Sequence, residues 1–190
     1  MNSDAIRYDG TYERDARPKP AAAAWSVAPE RYDSPAATAL WREYYTEVSD
    51  RWFRLHEQRS TPPQELAQGI AGDDGATLLP PHGQLLVARY GGEPAGTAGV
   101  RMLDGTTGEL KRVYVLERLR GLGGGSVLLA AAEDAALALG ARRLILDTRH
   151  DLTEARRMYT RHGYRETPPH NDEPYAEHWY AKDLIPGTAG

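Results

Sequence analysis

The sequence contains no cysteine. Disulfides, thiolate metal sites and a cysteine nucleophile are therefore excluded, and the redox state of its compartment is left open. No apolar run approaches the roughly 20 residues needed to span a bilayer. The N-terminal stretch MNSDAIRYDG lacks the apolar core of a signal peptide. A cytoplasmic protein with no membrane partner is the default expectation. Positive charge is also short. The chain has 23 Lys and Arg against 27 Asp and Glu, a formal net charge of −4. A dedicated nucleic-acid binder is usually basic, so no nucleic-acid partner is expected. The acidic balance slightly favours a cationic substrate. His56, His82, His150, His162, His170 and His178 show no metal-ligand spacing, so no metal is expected. There is no internal repeat.

What is present suits one domain: 190 residues are enough to bury a real core. Residues 1–22 are polar, then rich in proline and alanine, and read as a flexible arm. The folded domain is expected over 23–185, with a short tail at 186–190. Trp25-Ser-Val-Ala28 reads as a short first strand. Ser34-Pro35 opens a helix, with serine as cap and proline in the first turn, and an aromatic-rich stripe follows at helical spacing. Thr61-Pro-Pro-Gln64 has capping-box spacing and predicts a second helix to about Ile70. Gln84–Tyr90 and Ala95–Leu103 read as strands joined at Gly91-Gly92, and Asp104-Gly105 turns the chain towards Glu109.

The chain is organised around residues 109–126, ELKRVYVLERLRGLGGGS. The stretch starts as a strand, with Leu110, Val113 and Val115 apolar. It turns through Arg120-Gly121-Leu122-Gly123-Gly124-Gly125 and becomes a helix from Ser126 to Leu139. Strand, glycine turn and helix start in succession make an anion site. The glycines leave backbone N–H groups uncovered, and the helix start adds its unpaired donors and positive dipole end. The spacing excludes two builders of such turns. A nucleotide phosphate loop needs a Lys-Ser/Thr pair to close it, and Gly125-Ser126-Val127 has no lysine; the dinucleotide fingerprint fails in both registers. After the loop, Arg143–Thr148 reads as a strand that a helical crossover sets parallel to the central one. Thr153 is the expected cap of the next helix and Gly163 its end. Tyr164–Thr167 and His178–Leu184 read as the last strands.

The R-G-x-G-x-G run from Arg120 to Gly125 resembles the acetyl-CoA loop of the GCN5-related N-acetyltransferases (GNAT). Residues 109–115, 141–148 and 155–164 resemble that family's fourth strand, fifth strand, and last helix with the strand after it. The resemblance is convincing over about residues 84–184. It implies an α/β GNAT fold: a mixed sheet of about six or seven strands flanked by about four helices. It implies acetyl-CoA as donor cosubstrate, with the pyrophosphate on the backbone of Gly121, Leu122, Gly123, Gly124, Gly125 and Ser126, helped by Arg120. The pantetheine arm would pair with Val113, Tyr114 and Val115. Tyr159 matches the place of the family's frequent general acid. Glu109 would be the base, directly or through water. Tyr44, Tyr45, Trp52 and His170 are the acceptor-site candidates. Two positions depart from the family pattern: Glu117 replaces a frequent proline, and Leu152 replaces an asparagine that bonds the donor arm.

The function implied is acetyl transfer to a primary amine by direct attack. A small-molecule amine comes first, and a protein lysine or N-terminal amine second. A non-catalytic CoA-binding regulatory module is the competing class. Dimers are common in the family, so a homodimer is among the expected states.

Overall fold

The computed structural model describes residues 24–72 and 75–184. The expected arm (1–22) and tail (186–190) lie outside them. Seven strands form one mixed sheet: β1 (Trp25–Glu30), β2 (Gly83–Tyr90), β3 (Glu93–Met102), β4 (Thr107–Val115), β5 (Arg143–Thr148), β6 (Arg165–Thr167) and β7 (His178–Asp183). Their order is β1-β2-β3-β4-β5-β7-β6. Four α-helices flank the sheet: α1 (Pro35–Glu57), α2 (Pro63–Gly72), α3 (Gly124–Ala138) and α4 (Thr153–Arg161). A 3-10 turn spans Gly75–Leu78.

Local chemistry sets most boundaries. The Ser34 hydroxyl accepts the Ala37 N–H at 3.1 Å and Pro35 opens α1. Gly91 and Gly92 both have positive φ, as a two-residue hairpin turn requires. The Asp104 carboxylate accepts the N–H groups of Thr106 and Thr107 and fixes the β3–β4 turn. Two expected caps differ. Thr61 does not cap α2; its hydroxyl donates to Ser49 and its N–H to Asp50, tying the α2 approach to α1. Thr153 is the first residue of α4 and not its cap; Leu152 stands in the cap position and offers no side-chain acceptor.

The centre of the design is a break in regularity on β4. Arg112 has φ +55° in a strand, and the β3 partners of Lys111 and Tyr114 are Gly99 and Thr97, so β4 carries an extra residue between them. The bulge changes which face each side chain meets. Leu110 and Tyr114 would share a face of a regular strand. Here Leu110 joins the apolar cluster under α3 and α4, and Tyr114 joins the cluster under α1. Pairing of β4 with β5 is parallel and covers only Thr107–Glu109 against Arg143–Ile145. Beyond that the two strands diverge, leaving the upper edge of β4 unpaired in the middle of the sheet.

Candidate donor and acceptor sites

A cavity of about 510 Å³ fills the V where β4 and β5 part. Val113, Tyr114 and Val115 form one wall. Tyr44, Glu47 and Val48 of α1 close it on one face of the sheet, and Ala155, Met158, Arg161 and His162 of α4 on the other. The glycine loop forms its mouth.

The loop presents fewer amides than the sequence suggests. The Leu122 N–H bonds the Leu119 carbonyl at 3.4 Å, and the Ser126 N–H bonds the Gly123 carbonyl at 3.1 Å. The amides of Gly123, Gly124 and Gly125 have no backbone partner among the described residues. They sit at the start of α3, where the helix dipole favours an anion. Each glycine has its own reason. Gly123 has φ +88° and open space at its Cβ position. A Cβ on Gly124 would lie 2.5 Å from the Trp25 indole, and one on Gly125 would lie 2.5 Å from the Met158 sulfur. Trp25 also donates its indole N–H to the Leu122 carbonyl at 2.7 Å, which turns that carbonyl off the mouth.

Two further features fit an extended polyamide arm. The Leu116 N–H bonds Ala95 on β3 at 2.9 Å, so the carbonyl of the same peptide, that of Val115, faces the V. Strand alternation turns the Val115 N–H the same way. That carbonyl accepts the Arg120 Nε–H at 3.0 Å, while Arg120 Nη2 lies 2.6 Å from Glu47. Arg120 therefore faces α1 and β4, not the loop amides alone.

Of the expected donor residues, Val113, Tyr114, Val115, Arg120, Gly121, Gly123, Gly124, Gly125 and Ser126 line the cavity, and Leu122 does not. Tyr159 does not line it either. It is 6 % exposed, in the core against Tyr164 and Tyr180. Burial pushes its phenol up, helped by Tyr44, Asp147 and Tyr180, so it stays protonated at neutral pH.

Glu109, the expected base, is a buried carboxylate near the start of the paired part of β4. It is 2 % exposed, held by Arg101 Nε at 2.5 Å and Lys111 Nζ at 3.2 Å, and lies outside the cavity. It begins a charged network on the α1 side of β4 and β5. Lys111 also meets Asp147 at 3.6 Å and Glu173 at 3.8 Å. Asn171 bonds Asp147 at 2.9 Å and accepts the Trp179 indole N–H at 2.8 Å. His170 belongs to this group: burial pushes its imidazole down, and Asp147 and Glu109 partly oppose that. Trp52 stands near the same loop, 5.9 Å from the Tyr175 ring. Tyr45 does not. It packs on Trp41, and its ring fills the space beside Gly69 between α1 and α2.

Residues 35–164 match the family model described as the acetyltransferase (GNAT) family. The chain belongs to the GNAT acetyltransferase family. Among curated relatives, the uncharacterized N-acetyltransferase YjcF of Bacillus subtilis (strain 168) is 34% identical over 98 residues, 52% of this chain and 67% of that protein. A GNAT-family acetyltransferase from Staphylococcus aureus Mu50 superposes with a TM-score of 0.65 at 18% identity, covering 85% of this chain and 100% of that one. A GNAT-family acetyltransferase from Elizabethkingia anophelis, solved with acetyl-CoA bound, gives a TM-score of 0.54 at 18% identity, covering 84% and 97%. The sheet of seven strands and the four helices are thus the GNAT fold.

Several lining residues carry no motif. Glu154, Ala155, Met158, Arg161 and His162 lie on one face of α4, and helical spacing alone groups them. Glu47 had no such signal. It is one acid among several on α1, and only the path of α1 over the V brings it to Arg120.

Proposed function

We propose that the protein transfers an acetyl group from acetyl-CoA to a primary amine, of a small molecule in the first instance, by direct attack on the thioester. The observation that carries this is the cavity through the V of β4 and β5, with three amides at its mouth that have no backbone partner among the described residues. Those amides, of Gly123, Gly124 and Gly125, suit a pyrophosphate. The open edge of β4 suits a pantetheine arm, which would add to it as a short strand. Acetyl-CoA supplies the activated acyl group. The Val115 N–H, turned into the V, is placed to polarise an acyl oxygen. Tyr159 is the proposed proton donor to the departing sulfur, and its raised pKa keeps that proton in place. Its ring sits behind the cavity lining, so the role requires its hydroxyl to reach the sulfur of the bound thioester.

The acceptor is proposed to lie on the α1 side, between Trp52, Tyr44 and the 168–177 loop that carries His170. The carboxylates of Asp147 and Glu173 there suit an ammonium group on the approaching substrate. Glu109 is proposed as the anchor of Lys111 and Arg101 in that wall, with the amine's proton leaving to solvent. Residues 23–185 are proposed as one catalytic unit.

The test is an amine panel with acetyl-CoA, reading free thiol and the mass of each product. Small polyamines, lysine peptides and free peptide N-termini form its three arms. Thiol release with acetylation of small amines supports the proposal. Acetylation of peptides alone moves the protein to the protein-acetylating class. Tight CoA binding with no product from any arm makes it a binding module.

A further inference from the structure

Arg120 and a docked donor arm compete for the same backbone atom. The Val115 carbonyl faces the V because its peptide's N–H is spent on Ala95. It already accepts the Arg120 Nε–H at 3.0 Å. The other end of the guanidinium is held by Glu47 at 2.6 Å. Glu47 is itself steadied by Arg51 at 4.0 Å and lies close enough to the Tyr114 hydroxyl to help push that phenol, already raised by burial, to about 12. Arg120 is thus tied across the V, from β4 to α1, over the wall that an arm would occupy.

We propose that Glu47 and Arg120 are a specificity-determining pair that makes a phosphate on the ligand a condition for docking its pantetheine arm. The proposal rests on the donor-site reading of this cavity. The Arg120 head stands over the Val115 carbonyl on the side an arm would approach, and moving it off β4 to admit the arm pulls its Nη2 away from Glu47. A phosphorylated ligand offers Arg120 a replacement, because a phosphate accepts the guanidinium fork at least as well as a carboxylate. Arg120 lines the cavity beside Gly121 and Gly123, so the exchange needs only a local swing. Glu47 keeps Arg51 and Tyr114 after the swing. An uncharged arm offers no replacement and must break the pair without compensation. Both partners are partly exposed, at 34% and 25%, so the barrier to exchange is modest and the pair works as a selector, not a plug.

The experiment titrates CoA and pantetheine, the same arm without phosphates, into wild type, Glu47→Gln and Arg120→Met. Pantetheine is expected to bind both variants more tightly than wild type, by roughly two- to fivefold, as the coupling of a part-exposed pair allows. CoA is expected to bind Arg120→Met more weakly than wild type, and Glu47→Gln at least as well. The CoA-to-pantetheine ratio therefore falls in both variants. Pantetheine affinity unchanged or weakened in both variants overturns the proposal. So does a Glu47→Gln variant that gains affinity for CoA alone, because that is simple relief of charge repulsion. Arg120→Met lies in a loop and carries the test if Glu47→Gln fails to fold, which thermal melting would reveal. Wild type that binds no CoA sinks the donor-site reading and the pair with it, an outcome distinct from wild type that binds CoA without guarding its carbonyl.

Discussion

At the scale of single residues, Tyr159 and Glu109 are buried side chains on which the proposal places different duties. The Tyr159 ring packs on Tyr164 and Tyr180, at centroid distances of 5.9 and 6.0 Å. Tyr159→Phe keeps those contacts and removes only the hydroxyl. We expect kcat to fall by roughly ten- to a thousandfold with CoA affinity and melting temperature nearly unchanged, the pattern of an interaction made mainly in the transition state. Full kcat in the Phe variant, where chemistry limits the wild-type rate, would return Tyr159 to packing alone. Glu109→Gln makes the opposite pattern. It leaves Arg101 and Lys111 without their shared anion, and we expect a loss of about 1–2 kcal/mol in urea unfolding, discounted because both cations reach solvent. The folded fraction should keep kcat. Loss of kcat at full stability, with a shifted acidic limb in the pH–rate profile, would restore Glu109 as the base.

At the scale of elements, the β4–loop–α3 unit is held from behind by β1. The Trp25 indole bonds the Leu122 carbonyl and fills the space beside Gly124. Gly124→Ala should therefore lower stability by about 1–3 kcal/mol through overpacking, and Trp25→Ala should relieve much of that cost in the double variant. Urea unfolding of the four proteins in the cycle measures the coupling. Strict additivity would show that indole and glycine do not share the space. This unit was also the most legible part of the sequence. Its strand period, its glycines and its apolar helix are local signals, and the parallel β4–β5 pair follows from the crossover between them. The bulge at Arg112 was not legible, because nothing in composition marks an arginine at positive φ. Without it, Leu110 and Tyr114 would share one face of a regular strand, and the splay that makes the cavity has no visible cause. The burial of Tyr159 was not legible for a related reason. Its position on α4 was plain, but its burial depends on Tyr164 and Tyr180, which come from the chain beyond α4.

At the scale of the whole molecule, α1 is strapped across the sheet to the β5–α4 junction. Arg51 bonds the Asp151 carbonyl at 2.5 Å and pairs with the Glu154 carboxylate. Arg149 donates to the Val48 carbonyl at 2.7 Å and holds Asp151 at 2.8 Å. Burial alone pushes the Asp151 and Glu154 carboxyls up, but Arg149 and Arg51 outweigh it and hold both below their ordinary values. A carboxyl lowered in the folded state adds stability above its unfolded pKa and loses it as pH falls through the folded one. The melting-temperature gap between wild type and Arg51→Met should thus be widest at neutral pH and close as pH drops below about 4, the unfolded carboxylate range. A gap constant to strong acid would mean that Arg51 acts through packing and not charge. This strap places Tyr44, Glu47 and Val48 over the V, so the donor cavity exists only in the assembled fold. Its central claim is that the Gly123–Gly125 mouth takes the pyrophosphate of acetyl-CoA. Calorimetric titration of CoA into wild type and Gly123→Val tests that most directly. Valine at φ +88° costs about 1–2 kcal/mol of strain, which a folded domain tolerates, while its side chain stands in the open space at the mouth. The account predicts one site per wild-type chain and affinity at least about tenfold weaker in a folded Gly123→Val, the loss of roughly 1.4 kcal/mol or more. Equal CoA binding by both proteins, or none by wild type, would contradict it.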